Sequence, residues 1–209
     1  MKKILILLLA LACHRSRISD LPHQTVPEAS VNVAEVTDAG MDVTPEAAEL
    51  KHENILLIGD SEVLYSSWYF KPMRRDNETV YFDSKPGTTI GWWNGVFQKE
   101  MSKYHDIDVV IVFLGTNNFN FDYLQPHQHI LDTLKASSAK CIWVGPTDVH
   151  MKGFTNPHIV NKLLKEEVSS LCTYVDTEQL HIELADGVHP TQAGAVKWLT
   201  EIWKVKDGR

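Results

Sequence analysis

Ser61, Asp186 and His189 are the residues whose types and surroundings make covalent chemistry possible in this chain. A serine hydroxyl is a weak nucleophile until a base takes its proton, and the base is most often a histidine oriented by a carboxylate. Asp186 and His189 stand in the run Asp186-Gly187-Val188-His189-Pro190. The proline disfavours helical geometry for His189 and suits the first position of a following helix. This predicts a loop turned just before a helix, in which Asp186 reaches the imidazole Nδ1 while Nε2 faces the serine. Acyl transfer also needs donors where the oxyanion forms. The N–H of Ser61, the N–H of Gly87 and the side-chain amide of Asn117 are the natural three, and Gly87 has no Cβ to hinder close approach of its backbone to a ligand. Taken singly, Ser61 also reads as a helix N-cap and Asn117 as a turn residue.

Apolar runs supply the elements that must hold these groups. They lie at 55–58, 80–82, 109–114, 141–144 and 172–175, and glycine closes the first, third and fourth. Runs that are apolar throughout suit strands buried on both faces, hence a parallel sheet covered by helices. Amphipathic spacing predicts helices over 90–104, 123–137, 157–171 and 190–205. The alternation implies a three-layer α/β/α sandwich with right-handed crossovers. In such sheets ligands bind beyond the carboxyl ends of the strands, where Ser61, Gly87 and Asn117 fall.

Four short blocks then carry a resemblance. Gly59-Asp60-Ser61, Gly87, Gly115-Thr116-Asn117-Asn118 and the Asp186–Pro190 run resemble, in order, the four sequence blocks of the SGNH (GDSL-like) hydrolases, over residues 54 to about 205. The resemblance implies a five-stranded parallel sheet in flavodoxin-like order 2-1-3-4-5. It implies Ser61 as nucleophile, His189 as base, Asp186 as its orienting acid, and Gly87 and Asn117 as oxyanion donors beside the Ser61 N–H. Two positions depart from the pattern. Glu62 stands where a small or apolar residue is usual, and Asn118 where an aspartate is common. A flavodoxin-like cofactor domain is disfavoured, because Asp60 and Glu62 flanking Ser61 would repel a phosphate.

Composition frames the rest. The chain has 209 residues, a net charge of −7 and three cysteines. It is too acidic for a nucleic-acid scaffold held by phosphate contacts and too poor in cysteine for a disulfide-built miniprotein. No metal or cofactor is implied. His127, His129 and His150 have no carboxylate or cysteine partner at ligand spacing and read as surface or loop residues. The first aromatic residue is Tyr65, so the front of the chain differs from the rest. Lys2-Lys3 precedes nine apolar residues, Ile4 to Ala12. That is too short for a bilayer-spanning helix of about 20 residues but suited to a secretory signal. Ala10-Leu11-Ala12-Cys13 resembles a bacterial lipobox, with Cys13 the lipidated residue, although Ala10 replaces the usual leucine; a plain cleaved signal is the alternative. Residues 14–53 carry eight acidic residues against three basic ones, and read as a disordered tether before the domain at 54–209.

The remaining expectations concern the cleft and the cysteines. Of Trp92 and Trp93, one is expected in the core and the other beside the cleft, where it would suit a sugar ring or an acyl chain, with core packing of both as the alternative; Trp68, Tyr69 and 119–121 are further candidates. Asp60 is expected to support the turn or touch substrate. Cys141 and Cys172 open neighbouring strands, and because pairing across a parallel sheet is geometrically demanding, two buried free thiols are expected. The sum is an exported, monomeric, cell-envelope esterase acting on small acyl esters or acylated glycan. It touches the membrane through its lipid anchor alone and binds no nucleic acid. The alternatives are a lysophospholipase or thioesterase, and a non-catalytic glycan-binding lipoprotein.

Overall fold

The computed structural model describes residues 51–118, 127–149 and 156–209. The signal segment, Cys13, nearly all of the tether, residues 119–121 and His150 lie outside the described residues.

Among the described residues five strands alternate with five α-helices: β1 (Glu53–Gly59), α1 (Ser61–Tyr69), β2 (Glu78–Ser84), α2 (Ile90–Met101), β3 (Val109–Phe113), α3 (Gln128–Ala136), β4 (Lys140–Val144), α4 (Pro157–Val168), β5 (Thr173–Val175) and α5 (Gln192–Lys206). All pairings are parallel, in the order β2-β1-β3-β4-β5. The SGNH-type α/β sandwich is therefore the fold observed.

Alternation along the strands divides the core. Leu56, Ile58, Val110, Val112 and Trp143 point to one face, where α2, α3 and α4 cover them with Trp93, Phe97, Ile130, Leu134 and Leu164. Ile55, Leu57, Val109, Ile111 and Phe113 point to the other, under Val63 of α1 and Trp198, Leu199, Ile202 and Trp203 of α5. The central strand β3 is apolar throughout, and β1 and β4 are so beyond their first residues, because helices cover both of their faces.

Element ends differ from the sequence reading where side chains intervene. Thr191 caps α5 by accepting the Gly194 N–H, so that helix begins at Gln192 rather than Pro190. The sequence reading left α1 without its own helical pattern, and the structure supplies it. Within α1, Ser61 is the first helical residue and not the cap; Asp60 is the cap. The domain also starts earlier than residue 54. Glu53 pairs with Glu78 as the first residue of β1, and Lys51 bonds Asp108 at 2.8 Å.

The expectation of two free thiols is corrected. Cys141 and Cys172 form a disulfide with Cα atoms 4.6 Å apart. Thr173 is the first paired residue of β5, opposite Ile142. Cys172, just before it, lies opposite Cys141, but its N–H is spent on Val168 O at the end of α4. Cys172 is thus free of the ladder, and the geometry that opposes bridging two paired strand residues does not hold there. Among the described residues no helix is long and apolar enough to cross a membrane.

Candidate active site

The carboxyl ends of β1, β2 and β3 meet around Asp60. Its N–H donates to Phe113 O (3.2 Å), and its carbonyl accepts the Ser84 hydroxyl (2.8 Å). Its carboxylate accepts the Glu62 N–H at Oδ1 (3.0 Å) and the Asn117 amide at Oδ2 (3.2 Å). Gly59 makes this crossing possible, since a Cβ there would lie 2.1 Å from Phe113 O. Asp60 is fully buried. It is therefore not a substrate contact; it ties three strand ends to the start of α1, so that Ser61 emerges in a fixed direction.

His189 arrives from the other side. The Ala185 N–H donates to His189 O (2.7 Å), the Thr191 N–H donates to Glu183 O (2.9 Å), and Leu184 bridges Pro190. The loop between is pinched shut, and the buried Thr147 hydroxyl after β4 donates to Val188 O (3.4 Å). Asp186 Oδ1 accepts the backbone N–H groups of Val188 (3.0 Å) and His189 (2.8 Å). Its Oδ2 lies 2.8 Å from His189 Nδ1. A carboxylate only accepts, so Nδ1 carries the proton and Nε2 is left as an acceptor. Ser61 Oγ lies 3.0 Å from that Nε2. The His189 hydrogen bond is the largest influence holding the Asp186 carboxyl down at about 2, with the two N–H donors acting the same way.

The three groups expected as oxyanion donors line the same cleft. Ser61 opens α1, so its N–H has no intrahelical acceptor. Pro86 and Gly87 are the central residues of a turn closed by the Thr88 N–H on Lys85 O, and Gly87 has φ +74°. This is the type II arrangement, with proline second and a positive φ third. Glycine is required by that backbone angle; a Cβ on Gly87 would meet nothing within 4 Å. Asn117 has one amide hydrogen engaged by Asp60 and a second available. Asn118 accepts the Ile90 N–H at the start of α2 (3.2 Å), a bond an aspartate could make equally well.

A cleft of about 450 Å³ opens here, lined by Ser61, Leu64, Tyr65, Trp68, Pro86, Gly87, Asn117, Asp186, Val188 and His189. The larger hollows beside α2 and α3 and along α5, among the described residues, hold no such group. Trp93 is fully buried and donates to Thr88 Oγ1 (2.9 Å), so it belongs to the core and not to substrate binding. Trp92 is exposed but is not among the lining residues. The tryptophan that does line the cleft is Trp68, 57% exposed. Tyr65, one turn after Ser61, was missed by the sequence reading; its ring is parallel to the His189 imidazole. Recognising α1 would have found it by its i+4 spacing from Ser61.

Glu62 is the unexpected group. It is 1% exposed, and neither carboxylate oxygen has a hydrogen-bond partner among the described residues. Burial pushes its carboxyl well above the ordinary range, and Asp60 and Asp186 push the same way. Burial also raises Asp60, but the Glu62 N–H and the Asn117 amide oppose that shift. Both carboxyls are thus raised, Asp60 against the pull of two donors and Glu62 with no donor to stabilise an anion.

No family model matches this chain, and no curated protein matches it. Solved structures do. A carbohydrate acetylesterase from Sinorhizobium meliloti superposes with a TM-score of 0.64 at 13% identity, covering 75% of this chain and 99% of that one. An aryl esterase from M. smegmatis gives 0.61 at 13% identity, covering 74% and 99%. An acetylxylan esterase from Geobacillus stearothermophilus gives 0.56 at 17% identity, covering 73% and 94%. The chain has the fold of these SGNH-type esterases.

Proposed function

We propose that this protein is a serine ester hydrolase acting through an acyl-enzyme on Ser61. One observation carries the reading: the Ser61 hydroxyl, His189 and Asp186 form a continuous hydrogen-bonded chain, at 3.0 and 2.8 Å, at the floor of an open cleft. His189 Nε2 takes the Ser61 proton as Oγ attacks the ester carbonyl. The tetrahedral oxyanion forms among the Ser61 N–H, the Gly87 N–H and the Asn117 amide. Collapse expels the alcohol, which takes the proton from His189, and leaves the acyl group on Oγ. Water then gives its proton to His189 as it attacks the acyl carbon, and the acid departs as Ser61 regains its proton. Every step uses groups of the chain itself.

The substrate we infer is a short acyl ester, an O-acetyl carbohydrate being the best candidate. An open cleft with an exposed indole on its rim suits a small acyl group with a ring-shaped leaving group, and two of the similar structures are a carbohydrate acetylesterase and an acetylxylan esterase. The address we infer is the cell envelope, through Cys13. The Cys141–Cys172 disulfide supports an oxidising compartment.

The test is Ser61→Ala assayed on p-nitrophenyl acetate and on acetylated xylan. Loss of turnover by about 10³-fold or more is expected; retained activity would remove Ser61 from the mechanism. A chain-length series is expected to fall from C2 to C12, and a rise would favour a lysophospholipase or thioesterase. Failure of a fluorophosphonate to label Ser61 would point to a binding protein instead. For the address, Cys13→Ser is expected to move the protein from the membrane to the soluble fraction.

A further inference from the structure

The Tyr65 and His189 rings are stacked, with centroids 4.2 Å apart and planes inclined by 10°. Neither the reaction above nor the resemblance assigns Tyr65 a role. Resting on the hydrolase reading, we infer that Tyr65 is a positioning residue: its ring fixes the plane of the catalytic imidazole and gives the imidazolium formed during reaction a π face to lie against.

Three features carry this. First, the partners of His189 lie along its edge. Asp186 Oδ2 and Ser61 Oγ lie within hydrogen-bond distance of its two nitrogens, and Tyr65 stacks against its face. Second, the orienting acid is weakly protected. The Asp186 side chain is 53% exposed, against 21% for His189. Water competes with an exposed carboxylate and screens its charge, so the acid alone is a soft restraint. An aromatic face within about 6 Å of a cation is attractive whether or not the acid is hydrated. Third, Tyr65 stands on α1, one turn beyond Ser61. The nucleophile and the ring that holds its base therefore move as one rigid body, although His189 itself comes from a separate loop. Trp68 packs on Tyr65 with centroids 4.7 Å apart and backs the stack from the cleft rim.

The geometry separates two parts of the tyrosine. The ring does the positioning; no hydrogen bond of the hydroxyl to Ser61, His189 or Asp186 is recorded among the described residues. Replacing the ring should therefore matter, and removing the hydroxyl should not.

The experiment compares Tyr65→Leu, Tyr65→Phe and Ser61→Ala, with Tyr65→Met as a second ringless variant should the leucine protein fail to fold. Folding is checked by thermal melting. On p-nitrophenyl acetate, the ringless variant is expected to lose about tenfold in kcat with KM changed less than twofold. Tyr65→Phe is expected to restore most of that loss. In the free protein, the proton on His189 Nδ1 is expected as a sharp downfield NMR resonance in the wild type and Tyr65→Phe, and as a broadened or absent one in the ringless variant. A loss confined to KM would make Tyr65 a wall of the cleft and overturn the inference. So would a phenylalanine variant as impaired as leucine, or an Nδ1 resonance equally sharp in all three. If Ser61→Ala stays active, the hydrolase reading fails instead, and the resonance alone then decides whether Tyr65 orders the ring.

Discussion

The two ends of the parallel sheet handle buried acid in opposite ways. At the amino ends, Glu53, Glu78 and Asp207 gather around one buried cation, with Lys206 Nζ 2.7, 2.9 and 2.9 Å from them, and Arg75 clamps Asp207 from outside at 2.9 Å. Trp203 donates to Glu78 as well (3.0 Å). Burial alone would push Lys206 down; the hydrogen bonds it donates to Glu53, Asp207 and Glu78 outweigh it and hold the ammonium above its ordinary range. At the carboxyl ends, Asp60 and Glu62 are buried with no cation recorded against them, and both carboxyls rise. Paired charge serves to hold the sheet together. Beside Ser61, Asp60 instead spends its carboxylate on the Glu62 N–H and the Asn117 amide, and buried Glu62 has no hydrogen-bond partner among the described residues, at some cost in stability.

The largest test of this contrast is at the reacting end. Asp186→Asn should lower kcat by about 10³-fold, close to 4 kcal/mol of transition-state stabilisation, with the fold intact. The half-exposed acid makes this smaller than the loss at a buried triad. A fall of less than tenfold would mean that His189 is held without it. Next comes the paired end. Lys206→Met leaves three carboxylates around an apolar side chain and should cost about 3 kcal/mol in a urea titration, while kcat of the folded protein stays unchanged. A midpoint that does not move would show that the cluster holds nothing.

Glu62→Leu should act in the other direction. The native carboxyl is raised above its unfolded value of about 4.3. Below that pH both states are protonated and the group costs nothing through ionisation. As pH rises past it, the unfolded chain releases the proton and the native state keeps it, so native stability falls. The variant should therefore be more stable than the wild type at pH 8, on the order of 1 kcal/mol, with the gain shrinking toward pH 4. A pH-independent difference in Tm would mean that Glu62 is ionised in the fold. The smallest effect is expected for Asn118→Asp, which keeps the acceptor for the Ile90 N–H; kcat should change less than twofold. A large loss would assign the Asn118 amide hydrogens a role that the hydrogen-bond pattern does not show.

Much of this was legible in the chain. Five apolar runs announced a parallel sheet because burial on both faces removes polar alternation. The Asp-x-x-His-Pro spacing announced a loop that turns an acid onto an imidazole, because both residues lie within one short turn. What escaped had its cause elsewhere in the chain. Helix α1 carries little amphipathic signal, since Glu62 and Ser66 are buried beside Val63; Tyr65 was overlooked with it. Trp92 and Trp93 were indistinguishable as neighbours, and the orientation of α2 on the sheet put one in the core and left the cleft to Trp68.

By itself, then, the sequence determined the layer order and marked Ser61, Asp186 and His189 as the candidate reacting groups, because strand periodicity and short-range turn chemistry are local properties. Only the tertiary structure decided the rest. The disulfide needed Cys172 just outside the β5 ladder and opposite Cys141. The raised carboxyl of Glu62 needed the removal of water and the nearness of Asp60 and Asp186. The stacked Tyr65 needed a helix and a loop 124 residues apart in the chain to meet across one cleft. Burial and long-range approach set these, and neither is written in any one stretch of residues.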